Sequence, residues 1–454
     1  MSLHTIHRWL QKSYLRIITS IAFIPSLLAC GFLLLSLWTL YIDESSPEKL
    51  ISYSVSVQNI IHPDSARALL SAITGGMISL MVFSFSMVMI VLSQTASNYS
   101  PRVLPNLIGQ RFHQVVMGTY LGTILYTIIV LSSIQSKLYA FDVPHLSIVL
   151  STLFGLISLA MFVAFVHSIS QHIQIGSIIR NLYSDTLKSL SSYLKNTESI
   201  TEDELPSAQT WVSINCPVSG YLFGMNKSAL KKFCQETDIM VWMALPWGVY
   251  VHRWQPLLRV SRQLSEEEKK RLVNIFIFES DEILSQNYAV GFKQLTEIAV
   301  KALSPGINDP GTAIEAIDQL ATLFTRQMEA QEVPVIKDNQ NRLRWIGRPI
   351  SFEELFTWCW TAIKDYAAQD TVVLYKLIEW LETMVHSDAT HHYTSILTST
   401  LSDLIDHIQL NVKSSVDQQN LYQRIQQLLQ RSSNRALNKA IQEKISEQWS
   451  EASV

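Results

Sequence analysis

The chain has 454 residues, 48% of them hydrophobic and only 16% charged, with a mean hydropathy of +0.17. A net charge of -3 and a pI near 6.5 give no sign of a nucleic-acid partner, and none is expected. The averages blend an apolar N-terminal third with an ordinary polar remainder, and that division organises everything that follows.

Four stretches are long and apolar enough to cross a bilayer: Ile17–Tyr41, Leu69–Gln94, Val115–Ser133 and Leu146–Ser168. Each is close to the roughly 20 residues a helix needs to span about 30 Å of hydrocarbon. None contains Asp, Glu, Lys or Arg. The first is too long for a cleaved signal and has no small-residue cleavage pattern after it, so it reads as a retained span bent at Pro25. Nothing after Ser168 reads as a span. The expected class is an α-helical membrane protein with four N-terminal transmembrane helices. A mainly helical α+β cytoplasmic domain, containing a small β-rich unit, follows them. The domain limits are 1–170 for the spans, 171–205 for a helical stalk and linker, 206–262 for the β-rich unit and 263–454 for the helical part.

Basic residues sit in the leader (Arg8, Lys12, Arg16), in the second connection (Arg102, Arg111) and just beyond the fourth span (Arg180, Lys188). The first connection is rich in acids instead: Asp43, Glu44, Glu48 and Asp64. With four spans the basic segments all fall on one side, so the positive-inside rule expects both termini and the soluble part in the cytoplasm of a bacterial inner membrane.

The second span carries one face of small and hydroxylated residues, on which Ser79, Ser86 and Ser93 repeat at sevens beside Phe83 and Ile90. Two readings stand. Small residues let helices approach closely and hydroxyls bond across the contact. Alternatively, the serines line a path with Phe83 or Ile90 as an apolar constriction. Pro101 and Pro105 close this span, and Arg102 between them is placed to grip a lipid phosphate or to line an inner mouth. Gly118 and Gly122 form a small-xxx-small contact on the third span. His167 near the end of the fourth span has no intramembrane acid to pair with, which argues against a proton-coupled transporter.

From Gln171 to Leu194 the apolar residues recur at helical spacing, so span four is expected to run on as a stalk. The acidic Thr197–Pro206 stretch reads as a linker. A β-rich unit follows over Trp211–Val260, with a helix over Asn226–Glu236, a buried strand over Ile239–Leu245, a turn at Pro246–Gly248 and a return strand from Val249. Trp242, Trp247, Tyr250 and Trp254 read as core or as a membrane-interface face, with a ligand surface as the alternative. Ser265 and Glu268 form a capping box for a helix running to Leu303.

The motif from Ala302 to Ala313 is a helix–loop–helix junction, with Gly306 ending one helix, Asp309 capping the next and Pro310 in its first turn. Asn308 has no role in that account, which leaves room for ligand or cation contact. A helical block over Phe352–Leu410 and two amphipathic helices over Val416–Trp449 complete the chain. His386, Asp388, His391 and His392 match no zinc spacing, and the four cysteines show no CxxC. No P-loop, dinucleotide fingerprint, GxSxG or HExxH occurs, so no catalytic constellation, metal or cofactor is expected.

The runs Met81–Ser86, Ser97–Arg102 and Gly118–Gly122, with Ala302–Pro310 followed by Thr312-Ala313, resemble the uncharacterised DUF2254 family of predicted bacterial inner-membrane proteins. The resemblance implies four N-terminal spans and supplies no activity or catalytic residue. The functional expectation is a homo-oligomeric channel or passive pore in contact with the lipid bilayer and conducting a small ion. Its lining would be Ser79, Phe83, Ser86, Ile90 and Ser93, with Arg102 at the inner mouth. The alternative is a non-transporting scaffold or sensor that binds a cytoplasmic protein or small ligand, with Asn308, Asp309 and Pro310 as the contact loop.

Overall fold

The computed structural model describes residues 22–45, 63–98, 111–134, 143–172, 175–195, 198–200, 205–207, 210–279, 287–329, 333–368 and 370–451. Two compact units are present, residues 1–174 and 175–454.

The first unit contains α1 (Phe23–Ser45), α2 (Pro63–Asn98), α3 (Arg111–Ser133) and α4 (His145–His172), all four long and apolar enough to cross a membrane. Pro25 stands in the first turn of α1, where its missing N–H removes no helical bond; the expected mid-span bend is therefore not at this residue. The helix α3 is the central one and α2 the most open. Glycine spacing explains how α3 takes that position. A methyl group on Gly122 would lie 2.6 Å from the Phe32 ring, and one on Gly118 would lie 2.7 Å from Leu28 Cδ1. The small-xxx-small pair is thus the seat for α1. Hydroxyls make the remaining interior contacts: Thr39 with Tyr126 at 2.8 Å, Thr74 with Thr127 at 3.0 Å, and Thr123 with Ser158 at 3.2 Å. Asp43, in the last turn of α1, accepts bonds from the backbone N–H groups of Leu146 and Ser147 at 3.0 Å and from the Ser147 hydroxyl at 2.7 Å. A carboxylate at a helix N-terminus meets both free N–H groups and the positive end of the dipole, so Asp43 ties α1 to the start of α4.

The second unit opens with α5 (Ile175–Lys195), whose buried Ile178, Ile179, Leu182 and Leu190 are the apolar stripe read from the sequence. Residues 173 and 174, where a continuous stalk would have to pass, lie outside the described residues. The strands are β1 (Glu198–Ile200), β2 (Val212–Asn215), β3 (Gly220–Met225), β4 (Val241–Met243), β5 (Tyr250–Val251), β6 (Pro256–Val260) and β7 (Phe276–Glu279), with α6 (Lys227–Thr237) between β3 and β4 and α7 (Glu266–Val273) between β6 and β7. Then follow α8 (Tyr288–Ala302), α9 (Pro310–Gln327), β8 (Val333–Lys337) and β9 (Leu343–Ile346). The last helices are α10 (Phe352–Ala367), α11 (Thr371–Ser387), α12 (Thr394–Asn411), α13 (Ser415–Arg431) and α14 (Arg435–Glu451).

The strands form a six-stranded sheet in the order β1-β8-β9-β4-β6-β2 and a three-stranded sheet in the order β5-β3-β7. Strand formation therefore reaches beyond Trp211–Val260 at both ends. The acidic stretch taken as linker contributes β1, because Ile200 buries against Val333, Val335 and Ile346. The return strand opposite β4 is β6, whereas Tyr250–Val251 pairs with β3 in the other sheet. The capping box at Ser265 and Glu268 is present, but its helix stops at Val273 and does not run to Leu303. The run Ile275-Phe-Ile-Phe278 follows it, and Phe276–Glu279 pairs with β3 instead. Phe276 is buried and Ile277 exposed, the alternation of a strand with one covered face, which four adjacent bulky residues could not supply on one stripe of a helix.

The hairpin β8–β9 is fixed by a buried ion pair. Asp338 accepts bonds from the backbone N–H groups of Gln340 and Arg342 and from the Nε atoms of Arg342 and Arg344, both at 2.9 Å. Arg344 reaches on to Asp238 at 2.9 Å, at the left-handed end of α6. Burial alone would raise the Asp338 carboxyl; the four donors outweigh it and hold the group well below the ordinary carboxylate range. A carboxyl lowered in the folded state contributes stability that is present above its unfolded value, near 3.9, and is lost as the pH falls through the folded value. Asp338→Asn is therefore expected to lower the melting temperature at pH 7 and to flatten its decline between about pH 5 and pH 2. Melting curves of both proteins across that range, showing the same slope, would sink the assignment.

Candidate functional site

Ser79, Phe83, Ser86, Ile90 and Ser93 all stand on α2, and all five are exposed on the four-helix unit. Their spacing of alternately four and three residues holds them on one stripe of the helix. Ser79 Oγ donates to the Gly75 carbonyl one turn back at 3.0 Å, so the hydroxyl is satisfied within its own helix. The Phe83 ring meets Phe162 of α4 edge-on at 5.8 Å while keeping most of its outer face open. A side chain added at Gly75 or Gly76 would meet nothing within 4 Å. Ser84, one position off the stripe, is buried. Within one unit, then, the stripe faces outward and the hydroxyls that face inward are a different set.

That inner set was not singled out from the sequence, although Thr119, Thr123 and Thr127 recur every four residues along α3. Arg102, with Pro101 and Pro105, lies outside the described residues.

The loop motif resolves into a helix junction. Ile307 and Asn308 donate backbone bonds to the Ser304 carbonyl, and Asp309 donates its own to Ala302 at 2.8 Å. Asp309 Oδ1 accepts the Thr312 N–H at 3.1 Å and Oδ2 accepts the Thr312 hydroxyl at 2.6 Å, with Pro310 at the first position of α9. Asn308 has φ +50°, a left-handed conformation that asparagine tolerates better than most residues. The left-handed residue of the junction is Asn308, whereas Gly306 keeps a negative φ. Both oxygens of Asp309 accept a bond from the helix it caps, and the side chains of Asn308 and Asp309 are exposed.

The aromatic quartet divides. Trp247 stacks between Phe276 and Trp345, and Trp242 packs edge-on against Trp211, whereas Tyr250 and Trp254 are exposed. Asp388 is buried and accepts the backbone N–H groups of His392 and Tyr393, which makes the histidine cluster a helix-end turn. Among the described residues no group of three or more His, Cys, Asp or Glu side chains is placed to hold a metal. Burial pushes the Cys216 thiol up to about 11, and the Cys234 and Cys359 thiols up to about 12, so all three stay protonated at neutral pH.

Four membrane-length apolar helices in one unit, joined in sequence to a larger α+β unit, define a membrane protein with an extensive part outside the bilayer. The chain belongs to the family described as "Predicted membrane protein (DUF2254)", which it matches over residues 18–383. An uncharacterized protein of Mycobacterium tuberculosis (strain CDC 1551 / Oshkosh) is 24% identical over 341 residues, covering 72% of this chain and 64% of the relative. An uncharacterized protein of Mycobacterium bovis (strain ATCC BAA-935 / AF2122/97) is 23% identical with the same coverage. The chain thus spans less than two thirds of the length of these relatives. No solved structure matches.

Proposed function

We propose that the protein is a subunit of an oligomeric channel or passive pore of a bacterial inner membrane. The stripe of Ser79, Phe83, Ser86, Ile90 and Ser93 turns toward an axis shared between copies. The observation that carries this reading is placement: the stripe is exposed on the unit, while the inward Thr39–Tyr126, Thr74–Thr127 and Thr123–Ser158 pairs bond one another. A hydroxyl-bearing path would then be assembled from several copies of α2 rather than enclosed by one. Ser79 satisfies its donor within its own helix, and a neighbouring helix or a water column would engage the remaining lone pairs that lipid leaves unused. Phe83 and Ile90, large and apolar on the same stripe, serve as the constriction. Arg102, which follows this span in the sequence, serves the inner mouth or a lipid phosphate in this reading. The basic loops support a cytoplasmic side for the termini and the α+β unit, which in this reading regulates opening.

The test is conductance in reconstituted bilayers, preceded by the oligomeric mass in mild detergent. We expect a ring of several subunits and a wild-type current. Phe83→Ala should raise that current several-fold by widening the constriction, and Ser86→Leu should suppress it. A monomer, or a current indifferent to both substitutions, would remove the lining assignment.

A further inference from the structure

We infer that the open edge of β2 is a docking groove for an extended acidic segment of a partner protein, taken up as an added strand. This inference is independent of the channel reading.

Among the described residues β2 pairs only with β6 and closes the six-stranded sheet at one end. An end strand presents unpaired N–H and C=O groups on its outer side, and this is how sheets take up foreign strands. Beside it lies a groove of about 600 Å³, with Ser213, Ile214 and Asn215 on the strand side and Lys269, Lys270 and Val273 of α7 on the other. Side chains of successive strand residues point to opposite faces, so a groove that touches three in a row follows the edge and not a face. Val273 supplies apolar contact, Ile214 is turned into the core, and Ser213 and Asn215 are exposed.

The chemistry of the occupant comes from the two lysines. Lys269 meets Glu266 at 2.8 Å, whereas Lys270 is exposed, forms no direct ion pair among the described residues and acts on the same Glu266 only through space. A cationic wall beside a strand path favours acidic side chains and disfavours basic ones. Lysines also blunt sheet edges against aggregation, but protection of that kind places the charge on the edge strand itself. Here β2 reads Val-Ser-Ile-Asn, with no charge, and the lysines stand across the groove. Affinity would come from the backbone ladder and selectivity from the lysines.

The test uses the full chain in lipid nanodiscs, with empty discs as blank, and three fluorescent eight-residue peptides. One alternates Val and Glu, one alternates Val and Lys, and one is the Val–Glu peptide with every second amide N-methylated. Saturable binding of the Val–Glu peptide is expected, at least tenfold tighter than either of the others. Its amide-exchange signature should be slowing at Val212–Asn215. Lys269→Gln combined with Lys270→Gln, which removes both charges without adding acids to the last turn of α7, should leave the melting temperature nearly in place and weaken binding at least fivefold. Equal binding of the N-methylated peptide would reduce the effect to surface charge and overturn strand addition. So would absence of saturable binding, or a double variant that binds as well as wild type.

Discussion

Phe324→Ala is expected to cost about 3–5 kcal/mol, the range for removing a fully buried aromatic ring from a core that cannot collapse around the gap. Phe324 is completely buried in α9. Its ring lies 4.6 Å from Phe292 of α8, 5.8 Å and 5.4 Å from Phe352 and Phe356 of α10, and 5.7 Å from Trp380 of α11. One side chain therefore joins four helices. Edge-to-face geometry with three of those rings adds to the area buried, about 0.5–1.5 kcal/mol for each such pair. Its removal should lower the melting temperature by on the order of 10 °C. The cavity is separated from the loss of ring pairing by Phe324→Leu, which forfeits the edge-to-face pairs but keeps much of the volume and should cost clearly less than alanine. Thermal melts of the purified full chain, followed by near-ultraviolet circular dichroism, make the comparison. If alanine and leucine shifted the transition equally, the cavity account would be wrong.

That residue also marks where sequence reading stops. The four spans were legible because an apolar run of twenty residues is a local fact with one cheap interpretation in lipid. Caps were legible for the same reason: Ser265 with Glu268, and Asp309 with Pro310, act within one turn. Pairing across the chain was not. Ile200 becomes a strand residue only because Val333 and Val335 arrive from 130 residues further on to cover it. The short run at Phe276–Glu279 fits helix or strand until β3 is placed beside it. The candidate stripe on α2 was legible as a stripe. Its direction was not, since Ser79 outside and Ser84 inside differ only by which neighbours α3 and α4 bring to them. Asn308 looked unexplained because a backbone φ leaves no mark in composition.

A single methyl group is expected to separate two helices at Gly291. This glycine sits within α8, where an alanine would ordinarily be favoured by about 0.5–1 kcal/mol. Packing reverses that sign. A Cβ at Gly291 would fall 1.8 Å from the Thr186 hydroxyl oxygen, 2.7 Å from its methyl group and 2.8 Å from its Cβ on α5. Threonine is branched at Cβ and stiff. Its hydroxyl is also tied to the Leu182 carbonyl at 2.6 Å, so it cannot swing clear without losing that bond. Gly291→Ala should thus destabilise by about 1–3 kcal/mol, the usual result of adding volume to a filled contact. The contact makes a sharper prediction through a double-mutant cycle. Thr186→Ala removes the two nearest atoms but leaves the Cβ, so combining it with Gly291→Ala should recover part of the loss and not all of it. Equilibrium melts of the four proteins give the coupling. Strict additivity would mean that the alanine is accommodated by movement elsewhere and that α5 and α8 are not held at the distance Gly291 sets.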